Sequence, residues 1–268
     1  MQTARVLVLC LVCFVGASRE ASAKPWFSLA FSVSTIDGQG TMPGNLRLGI
    51  SQTTLAPVFV AGETFGKTDL EVYGGFASVM LNLAPLDLRL SPTTVVNAGL
   101  DAAGLSPITG IRVSYWGKRL AYIVSADAIW PVNLAPHITS AAIGDQDYTS
   151  LAQQDLTVHC QDLTVQANVR VVARIVPQFG LRYGASARYL SARCNVDPTP
   201  TGADLLSVLH LNVGALTNER TLQMIVPTLA FGVDIRPTKN VVVIGEYETG
   251  VDPSSPTWGL RFIFELRH

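Results

Sequence analysis

Between Cys160 and Cys194 apolar and polar side chains alternate almost without a break. Leu163, Val165, Ala167, Val169, Val171, Ala173 and Ile175 share one face, and Thr164, Gln166, Asn168, Arg170, Val172 and Arg174 the other. After Val176-Pro177-Gln178 the pattern returns, with Phe179, Leu181, Tyr183, Ala185, Ala187 and Tyr189 set against Gly180, Arg182, Gly184, Ser186 and Arg188. A period of two means β-strand, because successive side chains point to opposite faces. Runs of roughly 15 residues far exceed the usual length of about 5–6 in soluble sheets. At about 3.3 Å per residue and a tilt of about 40°, such a strand rises roughly 38 Å and clears the ~25 Å apolar band of a membrane barrel.

The same alternation divides the rest of the chain into runs at 26–36, 45–56, 58–65, 69–83, 86–98, 109–116, 119–130, 161–175, 179–193, 221–236, 241–250 and 257–267. Short turns are expected at Ala84-Pro85, Gly117-Lys118, Val176-Pro177-Gln178 and Pro237-Thr238-Lys239-Asn240, where Pro, Gly and Asn punctuate the pattern. Longer loops are expected at 37–44, 99–108, 131–160, 194–220 and 251–256. Short turns at one end and long loops at the other are the transmembrane-barrel arrangement. Segment 205–216 reads either as a further strand or as part of an outer loop, and the loop is preferred. The four tryptophans, Trp26, Trp116, Trp130 and Trp258, stand at run ends, as an interfacial aromatic girdle would place them.

Alternation alone leaves two folds open. A soluble barrel or sandwich buries its apolar face. A membrane barrel turns that face to lipid. The strand length, an apolar face nearly free of charge, and a polar face that mixes arginine with small residues favour the membrane barrel. The expected fold is all-β, a closed antiparallel transmembrane barrel of about 12 strands, within a range of 10–14.

The last run, TWGLRFIFELRH, carries Trp258, Leu260, Phe262, Phe264 and Leu266 on one face and Gly259, Arg261, Ile263, Glu265 and Arg267 on the other. Here the chain resembles the bacterial outer-membrane β-barrel proteins, whose C-terminal strand closes the barrel and is read by the assembly machinery. That family usually ends on an aromatic residue, whereas this chain ends on His268. The resemblance covers most of the chain as pattern and points to no subfamily. It implies the Gram-negative outer membrane as the location, with outer-membrane lipids and the barrel-assembly machinery as partners.

The N-terminus supports export. Arg5, the apolar run Val6–Gly16 and Ala21-Ser22-Ala23 form a signal-peptide pattern, so residues 1–23 are expected to be removed and 24–268 to form the barrel. The apolar run is too short to span a membrane as a helix. Cys10 and Cys13 lie inside it rather than after it, a poor place for a lipid anchor. Without Arg5, Arg19 and Glu20, 17 basic and 19 acidic residues remain. This balance offers nothing to a nucleic acid.

Two cysteines remain, Cys160 and Cys194, equidistant from Pro177 and both on the polar face. A hairpin centred on Pro177 sets them opposite each other, so a disulfide is expected; the alternative is two separate buried thiols.

The polar face collects charge. Arg112, Arg170, Arg174, Arg182, Arg188, Arg236 and Glu246 are the expected lumen-lining residues, together with Arg47, Arg89, Arg261, Asp87, Asp127, Asp234, Glu248 and Glu265. Buried charges need partners or water. Either the charges pair across the lumen and plug it, or water fills the lumen and the arginines guide small polar or anionic solutes. Between 163 and 193 that face carries no acid beside Arg170, Arg174, Arg182 and Arg188, so compensation comes from another strand or from an anion.

The sequence carries no nucleophile elbow, zinc-protease helix, P-loop or cysteine cluster, and no cofactor is implied. An Asp147–His159 pair in an outer loop would be the nearest approach to a general base, with His137 and His210 also in loops. The expectation is a non-enzymatic, porin-like channel. The alternatives are a closed barrel whose outer loops 131–160 and 194–220 contact partners, and an outer-rim hydrolase.

Overall fold

The computed structural model describes residues 24–42, 46–89, 95–130, 133–202, 220–238, 240–251 and 257–267. The signal segment 1–23, the 205–216 segment and His210 lie outside them, as do the side chains of Arg47, Asp87, Arg89 and Cys194.

Among the described residues, twelve strands form one antiparallel sheet. They are β1 (Lys24–Met42), β2 (Leu46–Phe65), β3 (Thr68–Arg89), β4 (Val95–Trp116), β5 (Leu120–Ile129), β6 (Asn133–Ile143), β7 (Gln146–Asp147), β8 (Leu156–Val176), β9 (Phe179–Pro198), β10 (Arg220–Thr238), β11 (Val241–Gly250) and β12 (Trp258–Arg267). A short helix, α1 (Thr149–Asp155), precedes β8. β1 pairs with both β2 and β12, and β3 with both β2 and β4, so the sheet closes on itself as a ten-strand barrel. β6 occupies the same place as β5. Residues 108–116 of β4 pair with β5, and residues 96–103 pair with β6. β8 likewise pairs with β5 through Thr164–Ala173 and with β6 through Cys160 and Gln161.

Several boundaries differ from the sequence expectation. Runs 45–56 and 58–65 are one strand, β2. Ala84-Pro85 is not a turn; β3 runs through it, and a register shift between Leu83 and Leu86 absorbs the residue that cannot donate to the ladder. Residues 37–42 belong to β1 and 99–108 to β4, so these stretches are strand rather than loop. An unexpected two-residue turn at Gly66-Lys67 joins β2 to β3, with Gly66 at φ 63°, a left-handed conformation that glycine adopts without strain.

The outer surface decides between the two folds that alternation left open. Phe27, Phe59, Ile225, Phe231 and Phe262 point outward, with Phe59 73% and Ile225 71% exposed. The belt begins beside the short turns, at Leu120, Ile175 and Val176. It ends about 30 Å higher, judged from the rise of β8 between Ile175 and Leu163. Above it the outward positions turn polar. Ser51, Asn82, Asp101 and His137 stand side by side on β2, β3, β4 and β6, with Asn82 Nδ2 donating to Asp101 Oδ1 at 2.5 Å. At 22 residues β3 rises roughly 55 Å, so the strands continue well past the belt as a crown. β6, β7 and α1 belong to this crown.

Candidate functional site: the barrel interior

Even-numbered residues of β8, β9, β10 and β11 point into the lumen, so the sequence parity holds there. Arg170, Arg182, Arg188 and Glu246 are buried as expected. Their partners come from strands distant in sequence. Arg170 on β8 passes over β9 and β10 to β11, where Nε lies 3.1 Å from Glu246 Oε1 and Nη2 3.0 Å from Glu248 Oε1. It also donates to Ser186 Oγ at 2.8 Å and to the Ala185 carbonyl at 2.6 Å. Arg182 bridges Glu246 at 2.8 Å and Asp234 at 3.3 Å. Arg188 donates to Gln166 Oε1 at 3.2 Å and lies 3.9 Å from Glu248.

The path of Arg170 depends on small residues. Arg170 pairs with Gly184, Gly184 with Ala230, and Gly232 with Glu246. A Cβ on Gly184 would stand 2.9 Å from Arg170 Cδ, and one on Gly232 would stand 2.9 Å from Glu246 Cγ. The mixture of glycine and arginine on this face is thus a floor with long side chains lying over it.

A second group of ties crosses from the other wall. Arg112 on β4 pairs with Glu71 on β3 and with Glu265 on β12, the latter at 3.0 Å. Gln52 on β2 donates to Asp162 at 2.8 Å and Thr164 at 3.0 Å on β8, nearly opposite in the ring. Tyr73 donates to Asp127 at 3.2 Å. Sequence reasoning missed Glu71, Gln52, Tyr73 and Asp162. On β3 the inward face carries Glu71 and Tyr73 low down but Ala77, Val79 and Leu81 higher up, so it never reads as a polar face.

Above the polar layer the lumen is apolar. Ile36, Ile50, Leu81, Ala102, Leu134 and Val158 are buried there, with Cys160, Leu190 and Met224. Below it, Trp116 turns inward against Ala121, Ile123 and Val172. Its Nε1 donates to Asp69 Oδ2 at 2.6 Å, and the guanidinium groups of Arg174 and Arg236 lie 4.7 and 4.5 Å from its ring centroid. Arg174 and Arg236 therefore sit half-buried at the short-turn mouth rather than along a lumen wall. Trp116 is not a girdle residue, and Trp26 also lies on the inward face, across Gly62; Trp130 and Trp258 face outward. The space left among Ser32, Ser34, Thr54, Tyr73, Arg188 and Arg261 is a cavity of about 80 Å³. That is room for a few waters.

Apolar side chains face out and a paired, charged network faces in. The chain folds as a transmembrane β-barrel, closed and belted with apolar side chains. Closure gives each of the ten ring strands a paired neighbour on both sides, which is the condition for a sheet to cross lipid.

No family model matches the chain, and no curated protein matches it. Among solved structures it is similar to Ail, the attachment invasion locus protein of Yersinia pestis, at TM-score 0.38 and 10% identity over 91% of this chain and 97% of that one. It is also similar to the toluene transporter TbuX of Ralstonia pickettii, at TM-score 0.39 and 11% identity over 91% and 88%. A third is the outer membrane protease OmpT of Escherichia coli, at TM-score 0.38 and 11% identity over 92% and 96%. These three proteins are named for three different activities, and none passes to this barrel at such distances.

In the crown, Cys160 is the cross-strand partner of Cys194, the register expected from Pro177. Asp147 is engaged by Thr149, whose backbone N–H and Oγ1 donate to Oδ1 at 2.9 and 2.5 Å. These bonds hold the Asp147 carboxyl below the usual carboxylate range. His159 is exposed on β8, and His137 Nε2 lies 3.5 Å from Gln153.

Proposed function

We propose that the barrel is closed, that its interior serves as a cross-linked core, and that its crown is the working surface, where it meets partners outside the cell. The observation that carries this reading is the filling of the lumen at successive depths: Trp116 with two arginines, then the ion-paired layer, then the apolar core. A passive pore needs a continuous aqueous path, and buried apolar side chains above paired charges oppose one. Ten strands also fall at the narrow end of barrel sizes, where side chains fill the interior.

In the same reading, Cys160 and Cys194 form a disulfide that fixes the crown, supported by their direct pairing across β8 and β9. The barrel is non-enzymatic, a reading supported by the engagement of Asp147 with Thr149. Outer-membrane lipids surround the belt, and β12, with Trp258, Leu260, Phe262 and Phe264 outward, is the strand presented to the assembly machinery.

Liposome swelling tests the closed state. Vesicles carrying the refolded barrel should shrink in a small sugar or amino acid and stay shrunken, as protein-free vesicles do. Swelling at a rate proportional to protein content would restore the porin-like reading.

A further inference from the structure

The chain has four lysines, and the three that are described, Lys24, Lys67 and Lys118, all stand exposed at the short-turn end. Lys24 begins β1, Lys67 is in the β2–β3 turn, and Lys118 is followed by Arg119 in the β4–β5 turn. Arg174 and Arg236 complete an arc at the same end. The arc is continuous in backbone hydrogen bonds: Trp116 N–H donates to the Lys67 carbonyl at 2.7 Å, Arg174 N–H to Arg119 at 2.8 Å, and Arg236 N–H to Gln178 at 2.7 Å. The described acids at this end are few and mostly committed. Asp69 turns inward to Trp116 and Thr64, Asp234 is held by Arg182 and Arg236, and Glu63 remains.

We infer that this basic collar binds the headgroups of anionic phospholipids in the leaflet that meets the short turns, an inference that rests on the barrel spanning the membrane with those turns at one face. The position of the cations selects a lipid. Lys118 and Arg119 directly precede the lipid-facing Leu120, Lys67 lies two residues after Phe65, and Arg174 is followed by the exposed Ile175 and Val176. Lys67, Lys118 and Arg119 thus stand where acyl chains give way to phosphate, while Arg174 and Arg236 add positive charge from the mouth, over Trp116. Flexible lysine stems reach such phosphates while their methylenes stay against apolar surface. Each cation near an anionic surface strengthens association by about fivefold at low salt, and screening weakens this as ionic strength rises.

The test uses the full mature barrel in vesicles, with spin-labelled phosphatidylglycerol compared with spin-labelled phosphatidylcholine and the motionally restricted fraction of each read by electron paramagnetic resonance. The wild type should favour phosphatidylglycerol several-fold at low salt and lose that preference in about 1 M salt. The triple variant Lys67→Gln, Lys118→Gln, Arg119→Gln should lose most of it while keeping heat-modifiable migration on a detergent gel, which reports the folded barrel separately. Equal restriction of the two lipids, or a preference unchanged in the variant, overturns the inference. Wild type without lipid preference but with salt-sensitive binding of a polyglutamate peptide would also overturn it, and would assign the collar to an acidic periplasmic protein instead.

Discussion

Nε of Arg170 lies 3.1 Å from Oε1 of Glu246, and this contact ties β8 to β11 although 76 residues separate the two in sequence. Both groups are buried, at 2% and 4% exposure. Removing one charge strands the other in a medium that cannot solvate it. Arg170→Ala should therefore destabilise the barrel by about 3–5 kcal/mol, read as a lower urea midpoint for the detergent-folded protein. Neutralising Glu248 as well, with Glu248→Gln, should recover part of the loss, because Arg170 is its nearest cation whereas Glu246 is still needed by Arg182. An Arg170→Ala midpoint equal to wild type would show that the pair contributes nothing.

Gly184 makes this reach possible. A side chain there meets the Val169 carbonyl at 2.0 Å and Arg170 Cδ at 2.9 Å. Gly184→Val should lower the unfolding midpoint, and much of that loss should persist on top of Arg170→Ala in the double variant, because the clash with the Val169 carbonyl remains when the arginine is gone. Ala187→Val, on the exposed lipid face of the same strand, should be close to neutral.

If Cys160 and Cys194 are bonded, the exported protein should yield no free thiol to alkylation after unfolding without reductant, and two after reduction. Reduction should also expose α1 and the first residues of β8, in the crown, to protease before the membrane belt is touched. Two free thiols in the unreduced protein would eliminate the disulfide.

The crown also carries a modest pH response. Thr149 stabilises the charged form of Asp147, so its folded carboxyl titrates below the unfolded one. The stabilisation is in place above the ordinary carboxylate range and is lost as pH falls through the folded value. Thr149→Val should raise the Asp147 titration midpoint in a carboxyl NMR experiment. An unchanged midpoint would mean that the two hydrogen bonds do not persist in solution.

How far these features could be read in advance depended on what each one requires. The β8–β9 hairpin and the opposition of its cysteines follow from parity and one turn, both local, and the structure keeps that register from Leu156 to Arg174. Ala84-Pro85 looked like a turn because proline breaks a ladder, yet a bulge in β3 carries the strand through. Residues 99–108, rich in Gly, Ala and Pro, looked like a loop because their strand runs beyond the membrane and needs no long apolar face there. The partners of Arg170 and Arg112 depended on barrel closure, which brings β8 within reach of β11 and β4 within reach of β12. The apolar upper lumen was hidden for a related reason: an inward aliphatic residue such as Val79 or Leu81 on β3 gives the inward face no polar signal to read.

The closed lumen is tested most directly by single-channel recording of the refolded, heat-modifiable wild-type barrel in planar bilayers. The filled interior predicts no stable conductance steps at moderate voltage in molar potassium chloride. Long-lived, reproducible open steps from protein of that quality would contradict it.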